Sequence, residues 1–522
     1  MRRAFVASLA VFSAALVVLP ESWSDGFAHM LVGARFAAHP DPRLLTGIWL
    51  PLLHLCYAAL VRLSGEVYWT CRALTPLCGA ATVAAAFALA RKAFPDDRHA
   101  PALAALLTAG SPHFLFFSTY AMTEVPAALF VTLAAWYALD GDRPVAAAAA
   151  LAPALWLRFE LWPFAALLWA LGARQARARL LAGDRRALTR HAAAAAVLAV
   201  PPAAWLVFSA AFAGDPLHSF HESGAYFRNS FFTALPAWEA RDLPAVAFYL
   251  ATFFITAGAC VPAAVAGAAL AWKRPAVRAL AVLAAGHFML LVVAYLLRMN
   301  AGWIRYWIPA HPLVAVLAAG GMERSGARLA AWVRVHRPAV ALADPTRAAR
   351  LALAGFAVAV YAFTLTFFYP STFWSAHAIE IGAFLRAPAH GGIAPSLSGA
   401  GKIYSDEPAV PVTAGLPLDR FVDAGDALPV DPADPAAGLS RAGVRFIVWS
   451  RKDYNHAARW FPDPTAAGLR LVYDPPANDS WIAAEKEWPC YLYALPPPRA
   501  ARAEATLPGA PAAAPPPTPP GG

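Results

Sequence analysis

Charge is what this sequence has least of. Asp, Glu, Lys and Arg together make up 14% of its 522 residues, against about 25% in ordinary globular domains, and the mean hydropathy is +0.49. Apolar runs near the roughly 20 residues needed to cross a bilayer recur along its first two thirds, so it reads as a polytopic membrane protein. Cysteine is also scarce: Cys56, Cys71, Cys78 and Cys260 sit in apolar surroundings and Cys490 stands alone near the C-terminus. That excludes a readable disulfide framework or metal spacing. No internal repeat is visible, and no A-x-A-like cleavage site precedes Pro20, so Met1-Arg2-Arg3 with the apolar run behind it reads as a retained signal-anchor helix. The net charge of +10 would suggest nucleic acid in a soluble chain. Here the arginines cluster in short segments between apolar runs, as cytoplasmic loops do, and no nucleic-acid partner is expected.

With the N-terminus inside, the pattern predicts helices over 4–20, 71–90, 101–117, 125–139, 145–157, 162–173, 192–212, 245–271, 279–297, 304–321 and 351–369. The cytoplasmic loops then hold Arg91-Lys92 to Arg98, Asp140 to Arg143, Arg174 to Arg190, Lys273 to Arg278 and Arg324 to Arg350, while the opposite loops carry few basic residues. The charge rule is thus met by eleven spans with the C-terminus outside. Two segments are set apart. Residues 26–38 put Phe27, Leu31, Ala34 and Ala38 on one face, the mark of an interfacial helix. Residues 44–62 are apolar but carry Pro51 and His54, and counting them as a span would invert every later loop. They are read as a re-entrant or juxtamembrane pair on the outer surface. The expected organisation is a transmembrane domain over 1–370 and a small soluble α/β domain over 371–496. The latter rests on short strands in "GKIYSDEP", "GVRFIVWSR", "LRLVYDPP" and "CYLYAL". A disordered Pro/Ala tail follows over 497–522.

Ionisable groups inside a bilayer are costly and tend to be functional. On this topology the odd ones fall at helix ends on one face: Asp25 after span 1, Glu124 between spans 3 and 4, Arg158 and Glu160 between spans 5 and 6. Arg298 and Arg305 bracket the turn between spans 9 and 10, and His218, His221 and Glu222 lie in the loop at 213–243. Each has a plainer reading. Asp25 and Glu124 are good helix-start residues, Arg158 and Glu160 could pair with each other, and Arg305 could be an anchor in an aromatic belt with Trp303, Tyr306 and Trp307. His218 and His221 have a spacing that could seat a metal, although two histidines and a glutamate in a loop are weak evidence. Their shared face is what raises the set to a candidate site.

The order of these features resembles a known group. An Asp in the first outer loop is followed by "W-x-P-L" (Trp49 to Leu52) and an Arg-led second span, "CRALTPLCGAATVAAAFALARKAF". Then come "STYAMTEVP" (Ser118 to Pro126), "R-x-E" (Arg158 to Glu160) and "RYWIPAHP" (Arg305 to Pro312). The whole is similar to the GT-C superfamily of integral membrane glycosyltransferases, and within it to the protein O-mannosyltransferase and aminoarabinose-transferase group (glycosyltransferase family 39-like). The resemblance implies an α-helical polytopic fold in the bacterial inner (plasma) membrane. It implies transfer of a sugar, with inversion, from a polyprenyl-phosphate donor to a lipid, glycan or protein acceptor on the outer face. Asp25 would then be the base, and Arg305 with Tyr306 the phosphate clamp, with Arg158 or Arg298 as a second cation. Glu124 would position acceptor or sugar hydroxyls or help hold a divalent metal if one is used, and Glu160 would orient Arg158. Trp23, Trp303 and Trp307 could stack on the sugar or line a lipid-tail groove. The rival class, a transporter or flippase, would place ionisable groups near the bilayer midplane on paired interrupted helices.

Overall fold

The computed structural model describes residues 1–19, 24–226, 260–297 and 304–336, then 376–386, 401–423, 434–450, 456–475 and 490–496, with isolated positions at 355, 358, 359, 362, 428, 430 and 431. The chain divides into two compact units, with the change from the first to the second at Ala376/His377.

The first unit is helical. Along the chain run α1 (Arg2–Val18), α2 (Ser24–Ala38), α3 (Leu52–Ser64), α4 (Tyr68–Ala93), α5 (Ala100–Gly110) and α6 (Pro112–Phe117). They are followed by α7 (Glu124–Ala138), α8 (Pro144–Leu155), α9 (Leu161–Leu181), α10 (Arg186–Ala213), α11 (His218–Tyr226), α12 (Cys260–Leu270), α13 (Pro275–Leu296) and α14 (His311–His336). Among the described residues three helices, α4, α10 and α13, are long and apolar enough to cross a membrane. Helix α10 shows what that means: Leu188, Val200, Val207 and Phe212 are exposed around it, as on a helix that meets lipid.

Several expected elements differ. The predicted helix over 101–117 is two helices, because Pro112 cannot continue α5 and instead opens α6. The predicted span over 304–321 begins as a 3-10 helix, Ile304–Ala310, and the α-helix starts only at His311 and runs to His336. The basic loops are shorter than the charge pattern implied. α9 continues through Leu181 and α10 starts at Arg186, since Ala, Leu and Arg are strong helix formers and a helix need not stop at the membrane surface. Pro51 stands at the start of α3 instead of in the middle of an apolar segment. Of the helix predicted over 351–369 only residues 355, 358, 359 and 362 are described, and residues 245–259 of the helix predicted over 245–271 lie outside the described residues.

Packing explains how the polar turns are held. Phe12, Val83, Phe114, Phe117, Val125 and Ile308 form one apolar cluster, which ties α1, α4, α6 and α7 to the 3-10 segment. At Gly267 and Gly321 helices α12 and α14 run backbone against backbone. A Cβ on Gly267 would lie 2.0 Å from the Leu317 carbonyl oxygen, and one on Gly321 would lie 1.9 Å from that of Ala263. Small residues permit that approach, as they do between membrane helices. Glu66 caps α4 by accepting from the backbone N–H groups of Trp69 and Thr70.

The second unit holds α15 (Ala376–Arg386, whose first residue closes the first unit), α16 (Ala409–Thr413), α17 (Pro435–Arg441), α18 (His456–Trp460) and a five-stranded sheet. The strands are β1 (Lys402–Ser405), β2 (Phe421–Val422), β3 (Val444–Ser450), β4 (Arg470–Tyr473) and β5 (Cys490–Ala494), in the order β2-β1-β3-β5-β4. β1 is parallel to β2 and β3, and β5 is antiparallel to β3 and β4. The Pro/Ala-rich segment over 497–522 lies outside the described residues.

Candidate functional site

Asp25 is the second residue of α2, where a carboxylate favours the helix dipole. Its Oδ2 lies 2.6 Å from Nη2 of Arg305. Arg305 sits on the 3-10 segment, and its Nε lies 3.6 Å from Oε1 of Glu124. Glu124 is the first residue of α7, and the same Oε1 is 2.7 Å from Nη1 of Arg158. Arg158, in the turn between α8 and α9, also donates to Oγ1 of Thr123 at 2.9 Å and to Oε1 of Glu160 at 3.1 Å. Four separate stretches of chain therefore bring together an alternating row: Asp25, Arg305, Glu124, Arg158, Glu160. Beneath it lies the ring of Tyr306, whose centroid is 4.9 Å from the Arg158 guanidinium carbon and 5.7 Å from that of Arg305.

Burial gives the row its character. Side-chain exposure is 1% at Glu124, 7% at Arg158 and 6% at Arg305, but 25% at Asp25 and 22% at Glu160. The two ends of the row are open and its middle is dry. Burial disfavours the ionised Glu160 carboxyl, but the Arg158 guanidinium and a backbone hydrogen bond together offset that and hold it below its ordinary value. For Arg158 the loss of solvent is likewise outweighed by Glu160 and Glu124, which hold it firmly cationic. Glu124 keeps Oε2 buried, with no hydrogen bond to it among the described residues.

Sequence reasoning overlooked the neighbours on α2 and α3. His29 follows Asp25 by one helical turn, and its Nδ1 is 2.8 Å from Nε2 of His54 on α3. Both rings are buried, and the Trp49 ring lies 4.4 Å from that of His29. Burial pushes His54 down to about 4. It also lowers His29, with His54, Arg305 and Arg158 adding to the effect. The i, i+4 spacing in "DGFAH" was the available signal. Thr123 was also missed, as was His287 of α13, whose Nε2 lies 3.1 Å from the Tyr306 carbonyl oxygen and fixes the 3-10 segment.

Other expected residues do not join the row. Arg298, Trp23 and Trp303 lie outside the described residues. His218 and His221 are on α11, where Nδ1 of His221 is 2.6 Å from Oδ2 of Asp215. The donor set for a metal does not fit: among the described residues no three of His, Cys, Asp or Glu converge, and the carboxylates Asp25, Glu124 and Glu160 face guanidinium groups.

No protein-family model matches the chain, and no curated protein matches its sequence. Solved structures do resemble it. ArnT from Cupriavidus metallidurans, crystallised with undecaprenyl phosphate, aligns over 94% of this chain and 97% of its own at 16% identity, with a TM-score of 0.61. The oligosaccharyltransferase AglB from Archaeoglobus fulgidus, in complex with an inhibitory peptide and a dolichol-phosphate, aligns over 85% of this chain and 69% of its own, at 13% identity and a TM-score of 0.52. At such identities the likeness establishes the fold. The chain shares the fold of ArnT and AglB, and three of its described helices are long and apolar enough to cross a membrane.

Proposed function

We propose that this protein transfers a sugar from a polyprenyl-phosphate donor to a hydroxyl or amine acceptor at the outer membrane–water boundary. The observation that carries the reading is the Asp25–Arg305 pair, partly open at the end of a buried charged row, in a fold shared with ArnT, an aminoarabinose transferase bound to undecaprenyl phosphate, and with AglB bound to dolichol-phosphate.

The chemistry follows from what each group can do. A donor phosphate competes with Asp25 for the Arg305 guanidinium, whose planar N–H groups suit phosphate oxygens. As Arg305 turns to the phosphate, the Asp25 carboxylate is released to accept a proton. The acceptor oxygen or nitrogen then attacks the anomeric carbon and the carbon–oxygen bond to phosphate breaks. The electron pair leaves with the polyprenyl phosphate, the acceptor proton goes to Asp25, and the sugar carbon is inverted. Phosphate is already a good leaving group, so what it needs is a fixed positive charge, supplied by Arg305 with Arg158 behind it. Glu124 sets the spacing of the two guanidinium groups, and Glu160 and Thr123 fix Arg158.

The test is to incubate the purified protein with a panel of polyprenyl-phosphate sugars and follow donor loss by mass spectrometry. At least one donor should turn over. Asp25→Asn should lower turnover by about 10²–10⁴-fold, the usual contribution of a general base, while donor binding is kept. Failure to consume any donor would sink the transferase reading, and full activity in Asp25→Asn would sink the assignment of the base.

A further inference from the structure

The charged row occupies only one end of the helices that build it. α7 starts at Glu124 and ends at Ala138, about 20 Å away at 1.5 Å per residue. α9 starts beside Glu160 and ends at Leu181. At that far end a cavity opens between the turn after α7, α8, α9, α10 and α13. Its wall is apolar, with Leu168, Trp169, Leu198 and Leu283, and its rim carries Gln175, Arg179, Arg190 and Asp142.

Two details mark it as a built site. Gly141, at φ +68°, supplies a backbone conformation that L side chains rarely adopt, and the side-chain ends of Gln175 and Arg179 lie beside it. Deeper in, His191 is 6% exposed and stacked on Trp169, with centroids 5.0 Å apart and planes at 20°. Its Nε2 is buried with no hydrogen-bond partner among the described residues. A buried imidazole nitrogen at a cavity wall is costly unless something bonds to it.

The charge around the rim says what that ligand is. Of the charged residues that line it, Arg179 and Arg190 are cationic and Asp142 is an acid, while four further arginines of the 174–190 segment (Arg174, Arg177, Arg185 and Arg186) do not line the cavity. Asp184 takes Arg190 at 2.6 Å in a half-exposed pair, while Arg179 makes no ion pair among the described residues. A free phosphate would satisfy the arginines but leave the apolar wall uncovered, and a neutral apolar ligand would not use them. An amphiphile with an anionic head satisfies both, and basic pockets between membrane helices bind such lipids. We propose that this cavity binds the phosphate headgroup and upper chain carbons of an anionic phospholipid. The proposal does not depend on the transferase reading.

To test it, the full-length protein is stripped of lipid in detergent and incubated separately with phosphatidylglycerol, phosphatidylcholine or inorganic phosphate. What it retains after gel filtration is measured by mass spectrometry, or by equilibrium dialysis for phosphate. Phosphatidylglycerol should be retained several-fold over phosphatidylcholine. Arg179→Ala should lower that retention about five-fold, the effect of one basic residue beside an anionic headgroup, and Arg179→Lys should restore it. Arg334→Ala, which removes an exposed arginine at the end of α14, should change nothing. If Arg179→Ala does not fold, His191→Phe keeps the stack on Trp169, removes the nitrogen and should also lower retention. Equal retention of the two phospholipids, or unchanged phosphatidylglycerol retention in both cavity variants, overturns the proposal. So does binding of inorganic phosphate without retention of phosphatidylglycerol, which would mean a soluble anion.

Discussion

The two ends of α7 and α9 use arginine differently. Next to Glu124, Arg158 and Arg305 are buried and gripped by carboxylates on other elements. Around Ala138 and Leu181, Arg179 and Arg190 sit at a half-exposed rim, and the acid nearest Arg190, Asp184, is six residues away in the same helix–turn segment. Taking guanidinium groups out of water costs several kcal/mol each unless partners compensate. A chain short of charge that nonetheless buries Arg158, Arg305 and the Glu124 carboxylate side by side is holding a fixed electrostatic arrangement at a net cost, which is what stabilising charge in a reaction requires. The rim arginines remain hydrated and cost little. They read as topology signals and as contacts to lipid heads.

The largest effect that would sharpen this contrast lies at Arg158. Arg158→Met removes the cation between Glu124 and Glu160 and leaves the fully buried Glu124 with, among the described residues, only the 3.6 Å contact to Arg305. Breaking a buried pair in this way costs about 3–5 kcal/mol. Thermal unfolding of the purified protein should therefore show a large drop. Adding Glu124→Gln should recover a substantial part of it, since the uncompensated buried charge is then gone. Equal stability of the single and double variants would show that Arg158 acts through packing instead.

How far the sequence revealed this site depends on the type of signal. Loop charge and the order of outer-loop residues were enough to group Asp25, Glu124, Arg158, Glu160 and Arg305, because charged residues at helix ends stand out in an apolar chain. The alternation of sign along the row was not readable, since it depends on how α2, α7, the α8–α9 turn and the 3-10 segment pack in three dimensions. The start of α14 was misjudged because "RYWIPA" is apolar enough to pass for helix, while Pro309 and the anchoring of Tyr306 by His287 favour the tighter turn. His29 and His54 were overlooked because the i, i+4 spacing of Asp25 and His29 is a weak mark by itself and the lone histidine of the α3 segment has none. They gain meaning only when α2 packs on α3.

That histidine pair gives an effect of intermediate size with a pH signature. Both rings are held neutral, with His54 pushed down to about 4, against about 6.5 in an unfolded chain. Between those values the unfolded state binds protons that the folded state does not. Stability is therefore full above about pH 6.5 and is lost as the pH falls towards 4, by about 3 kcal/mol at most for His54. Glu160, held below its ordinary value, adds nothing in that window until its acid end. Melting temperatures at pH 7 and pH 5 should differ in the wild type, and the difference should shrink in a His29→Phe/His54→Leu variant. An undiminished pH slope in that variant would place the titrating groups elsewhere.

The smallest effect is expected at the rim, and its smallness is what separates the two ends. Arg190 and Asp184 lie 2.6 Å apart, closer than Arg158 and Glu160, so distance alone would rank their pair higher. Exposure reverses the ranking: at 39% and 37% both groups keep much of their water, and pairs of this kind contribute about 0–1 kcal/mol and weaken with salt. Asp184→Asn should accordingly move the melting temperature by a few degrees at most, and less still at high ionic strength, where Arg158→Met should lose nearly as much as at low salt. If Asp184→Asn destabilised the protein as much as Arg158→Met, the rim pair would have to be shielded from solvent, and the division between a dry charged row and a wet arginine rim would fail.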